Sequence, residues 1–65
     1  MLDALPSLDL LRQDQAALAQ ILDARRAVTV VTLPAGVQLL WRVYLTILED
    51  ALSTLHALIQ YLSAQ

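Results

Sequence analysis

His56 is the single histidine of the chain, and on a helix it shares one surface with Ser53 one turn earlier and Glu49 two turns earlier. A hydroxyl, an imidazole and a carboxylate are the parts of a nucleophile, its base and an orienting acid. Three groups projecting from one helix surface nevertheless lack a pocket to hold a substrate and paired N–H donors for an oxyanion. Metal binding by Glu49, Asp50 and His56 fares no better, because one imidazole and two carboxylates at these spacings match no recurrent ligand pattern. The expectation is a solvated histidine, with no catalytic centre, no metal and no cofactor.

Two other groups bear on recognition rather than reaction. Trp41 and Tyr44 lie one turn apart in the most apolar part of the chain, where they are expected to pack, with Tyr61 at the edge. Arg42 sits in the same stretch. An unpaired guanidinium is costly to bury, so it is expected to pair with a carboxylate such as Asp14 or Asp23, or with one on a partner chain. The other way out is to reach past its neighbours to water.

The elements that must position these residues follow from composition and period. The chain has 65 residues, of which 58% are hydrophobic, and a mean hydropathy of +0.61. One domain of this size has little interior, so a surface this apolar needs cover from another copy, another protein or lipid. Net charge is -2, and the basic residues are Arg12, Arg25, Arg26 and Arg42. With no basic cluster beyond one pair, nucleic acid is not expected as a partner. There are no cysteines, hence no disulfide framework. The first residues lack a basic region, so no signal peptide is read there.

After a short lead-in at residues 1–6, Ser7 is a good N-cap for a helix over 8–26, with Asp9 in its first turn and Arg25 and Arg26 in its last. Leu8, Leu11, Leu18 and Leu22 form its apolar stripe, interrupted by Gln15 at a half-buried position. Residues 27–33 are nearly all β-branched, which favours an extended segment. A lone strand leaves its N–H and C=O groups unpaired. Val28 and Val30 are therefore expected either to pair with another chain or to lie in an irregular connector.

Pro34 and Gly36 then open a long helix over 35–63, apolar nearly all round at its start and amphipathic toward its end. Trp41, Leu45, Leu48, Leu52, Leu55, Ile59 and Leu62 fall on one seam whose spacings alternate four and three, the repeat that keeps a stripe against a partner helix. Tyr44, Ala51 and Leu58 widen it. That pattern predicts deep burial at the start of the helix and partial exposure toward its end.

Residues 28–34, Val-Thr-Val-Val-Thr-Leu-Pro before a helix, resemble the strand entry of ribbon-helix-helix DNA-binding proteins. The family's two short helices with their turn, and the groups on its strand that read a groove, are missing. What the resemblance implies is a strand able to pair across a two-fold axis.

The fold class expected is mainly α: helix, short extended segment and long amphipathic helix, completed by oligomerisation or a partner. The function expected is that of a non-enzymatic structural or adaptor protein. It would join copies of itself or a larger assembly, such as a virion or a similar particle, in the cytoplasm or within that particle. The interaction residues are those of the seam, with Tyr44, Leu58, Val28, Val30 and Arg42. The alternative is a small membrane protein anchored by a spanning helix at 27–48, bracketed by Arg25–Arg26 and Glu49–Asp50. Pro34, Gly36 and Arg42 inside that span count against it.

Overall fold

A computed structural model of the chain describes residues 7–64; the lead-in expected at residues 1–6 lies outside the described residues. The first helix, α1, is Leu8–Arg26. Ser7 is extended at φ -71° and ψ 131°, and its hydroxyl accepts from the Leu10 N–H at 3.4 Å. Its carbonyl accepts from Leu11 N–H at 3.0 Å, the first backbone bond of the helix. Asp9 near the start and Arg25 and Arg26 near the end both suit the helix dipole. The second helix, α2, is Ala35–Ser63. Pro34 precedes it and donates no N–H, while its carbonyl accepts from Val37 and Gln38.

Between the helices the chain turns instead of extending. Val28 N–H donates to the Arg25 carbonyl at 3.2 Å, and Leu33 N–H to the Val30 carbonyl at 3.0 Å. Gln38, one turn into α2, donates its side-chain amide back to the carbonyls of Leu33 at 2.9 Å and Val31 at 3.3 Å. These local bonds satisfy groups that a strand would have left for another chain. β-propensity is a preference for a pleated, half-buried neighbourhood, and the folded chain offers none. Residues 27–33 thus form a turned connector, and no strand occurs among the described residues.

The connector lets α2 fold back along α1. Gln15 on α1 meets His56 on α2, and Arg26 meets Glu49. Rising numbers on one helix match falling numbers on the other, so the pair is antiparallel. Burial follows the same repeat on both helices. Along α2 the half-buried or buried residues are Gln38, Trp41, Leu45, Leu48, Leu52, Leu55, Ile59 and Leu62; along α1 they include Leu8, Leu11, Gln15, Leu18, Leu22 and Arg25. Gln15 is half-buried, as expected. The seam of α2 is therefore answered by α1 along its C-terminal part, and Trp41 and Leu45 beyond the reach of α1 are half-buried.

The two helices do not match in length. α1 has 19 residues and α2 has 29, about 28 Å against about 43 Å at 1.5 Å per residue. Because Arg26 lies opposite Glu49, the uncovered stretch is the N-terminal part of α2. The molecule is accordingly drawn out, with extents of 51 × 20 × 20 Å. Its radius of gyration is 15.6 Å, against about 11 Å for a compact chain of this length.

Candidate interaction surface

Each flank of the seam on α2 has its own chemistry. The residues just after the seam positions are Arg42, Thr46, Glu49, Ser53, His56, Gln60 and Ser63. The residues just before them are Leu40, Tyr44, Ile47, Ala51, Thr54, Leu58 and Tyr61. A step of one residue turns a helix by about 100°, so these rows lie on opposite sides of the seam. α1 repeats the division. Its row after the seam includes Asp9, Arg12, Asp23 and Arg26, and its row before includes Leu10, Asp14, Ala17, Ile21 and Ala24. In an antiparallel pair corresponding flanks fall on the same side of the hairpin. One face is polar and the other is apolar.

The polar face holds the hydrogen bonds and the ion pair between the helices. Arg26 Nη2 donates to Glu49 Oε2 at 2.7 Å, the one salt bridge among the described residues. The side-chain amides of Gln15 and Gln60 lie 3.2 Å and 3.1 Å from Nδ1 and Nε2 of His56. Neutral imidazole has a single acceptor nitrogen, so one of these amides presents its oxygen to the ring N–H. Beside them runs an open groove of about 630 Å³ with Ala16, Ala19 and Leu22 against Leu52 and Ser53, and Arg12 at its edge. Small alanines leave this space between the helices.

The candidate triad is not assembled. His56 is exposed and held by two glutamines, while Glu49, the acid that would have oriented it, is engaged by Arg26. No group of three or more potential metal ligands forms among the described residues.

The apolar face is open. Leu40 is 69% exposed, Ile47 60% and Tyr61 66%, with Leu10, Ile21, Val37, Tyr44 and Leu58 also exposed. Outside this side, the exposed large apolar side chains on the helices are Leu39 and Val43. Only Leu11, Leu22 and Ile59 are buried among the described hydrophobic residues, and each keeps a few per cent of its surface exposed.

Several expectations are overturned here. Tyr44 and Leu58 lie outside the closed seam, exposed on its apolar flank. The start of α2 is its most exposed part within the chain, not its most buried, because α1 is too short to reach it. Arg42 is exposed and in no ion pair among the described residues; its carbonyl accepts from the Thr46 hydroxyl at 3.0 Å. It falls on the polar flank, open to water, and meets neither Asp14 nor Asp23. Val28, exposed, and Val30, half-buried, lie in a connector, which is one of the two arrangements expected for them. The span at 27–48 is not one helix, since α2 begins at Ala35, and no helix among the described residues is long and apolar enough to cross a membrane.

Trp41 and Tyr44 pack together in the stretch that α1 leaves bare, with ring centroids 5.3 Å apart and planes at 50°. The sequence placed both on one face. The largely apolar row from Leu40 to Tyr61, interrupted at Thr54, was visible there only as the three positions Tyr44, Ala51 and Leu58. Its full signal is the same four-and-three repeat, read one residue earlier. Comparison with known proteins finds no family model, no curated protein and no solved structure that matches this chain.

Proposed function

We propose that this chain is a non-enzymatic structural or adaptor protein that acts by association, docking its apolar face onto protein. The observation that supports this reading is the unbroken exposed row from Leu40 to Tyr61, on the side of the hairpin away from its polar contacts. The chain exposes 5081 Å², where a compact monomer of its mass exposes about 4,100 Å². Burying one large apolar side chain contributes roughly 1.5–3 kcal/mol. A few such residues per chain offset the entropic cost of association.

The test is the native mass of the chain in a detergent-free extract of its source cells. The expected result is a species heavier than the monomer, and Ile47→Asp returns it to monomer mass with its helical circular dichroism retained. A wild-type chain that runs as a monomer in that extract overturns the proposal. Recovery with membranes would name lipid, not protein, as the cover.

A further inference from the structure

We infer that the bare half of α2 is covered by α2 of a second copy, the two helices packing antiparallel about a two-fold axis near Glu49. This rests on the reading of the apolar row as an association surface, and it names the partner.

The first argument is length. Glu49 is the midpoint of α2, and it is also where α1 ends opposite it. α1 therefore lies along the C-terminal half of α2, while the N-terminal half has no helix against it and only the connector beside it. An antiparallel pair centred at Glu49 lays the bare half of each copy on the covered half of the other. It also brings the second copy's α1 to the same end. A parallel pair leaves the two bare halves with only each other. Stacking α2 on the second copy's α1 leaves both bare halves projecting.

The second argument is side-chain size. About a centre at Glu49, Leu40 faces Leu58 of the second copy, Tyr44 faces Thr54 and Ile47 faces Ala51. Large meets small at the latter two positions, which is how interiors reach close packing. In parallel register Tyr44 would crowd its own copy while Ala51 left a void against Ala51.

The third argument is area and charge. The face follows α2 for about 43 Å on a molecule 20 Å across. A strip of α2 alone, about 10 Å wide, is roughly half of that face, so reaching the roughly 800 Å² per chain of a standard stable interface takes the α1 row of each copy as well. The row on α2 carries no charged residue, so pairing it desolvates none.

Two native features make the test direct: there are no cysteines, and Trp41 in the bare half is the single tryptophan. Leu40→Cys and Leu58→Cys are prepared as separate proteins, and each is oxidised alone and mixed. Leu40 is 69% exposed, so cysteine there leaves the hairpin core untouched. The mixture should cross-link at least tenfold more than either protein alone. The purified wild-type chain should sediment as a dimer at tens of micromolar, with Trp41 emission shifting to the blue as concentration rises. Leu40→Cys linking efficiently to itself overturns the antiparallel pair. A purified monomer that is still heavy in source extract overturns the second copy as partner while leaving the association reading standing. A monomer in both settings overturns both.

Discussion

Arg26 and Glu49 meet at 2.7 Å where α1 ends and α2 has run half its length. The contact marks the boundary between the paired and the bare parts of the long helix. It is a marker more than a clamp, because both side chains are about half exposed, at 51% and 46%. Water and salt screen a pair in that position, and such pairs contribute about 0–1 kcal/mol.

Glu49→Gln should therefore lower stability by less than about 1 kcal/mol. Chemical denaturation at low salt and in molar salt checks it, and the difference between the two proteins should shrink as salt rises. A loss of several kcal/mol that persists in high salt would show that the pair holds the hairpin closed.

The interior is expected to be far less forgiving. Leu22 is the most buried of the core residues, at 3% exposed. Leu22→Ala should cost about 2–4 kcal/mol, from lost transfer energy and the cavity left behind. Leu39→Ala, at an exposed site off the apolar row, should stay within about 0.5 kcal/mol. Both are measured by denaturation at one fixed protein concentration, since association adds to apparent stability. Equal costs at the two sites would contradict the packing described above.

Arg42→Ala should be nearly silent, within about 0.5 kcal/mol of the wild type. The guanidinium is exposed and unpaired among the described residues, so its removal strands no carboxylate. A destabilisation of several kcal/mol at concentrations where the chain associates would place an acidic partner for Arg42 on another molecule.

Gly36→Ala should stabilise the chain by about 0.4–1 kcal/mol. Gly36 is inside α2 without a positive φ, and an added Cβ meets nothing within 4 Å. Alanine then restricts the unfolded chain and favours the helix at no steric cost. Unchanged or reduced thermal stability at matched concentration would mean that something packs against this position.

Much of the fold was readable because it is local. Ser7 caps its helix through a group three residues away, and Pro34 opens the next. Both helices consequently begin and end where sequence signals put them. The seam from Trp41 to Leu62 was also readable, since a four-and-three repeat fixes which side chains share a face of one helix. The same rule separates the polar band of Glu49, Ser53 and His56 from it.

What a repeat leaves open is what a face meets, and the tertiary structure decided that. Whether the connector extends or turns depends on Gln38 reaching back to the carbonyls of Leu33 and Val31, bonds that exist only once α2 has formed. That turn sets the register in which Arg26 comes to Glu49 and Gln15 to His56. Register in turn decides which end of α2 overhangs. Packing of the seam against α1 buries Ile59, while the flanking row of Leu40, Ile47 and Tyr61 stays exposed along the whole helix, although both rows are largely apolar. Arg42 follows from the overhang. Its apolar neighbours in sequence suggested burial, but with α1 ending opposite Glu49 the chain supplies no helix beside it, and the guanidinium stays in water.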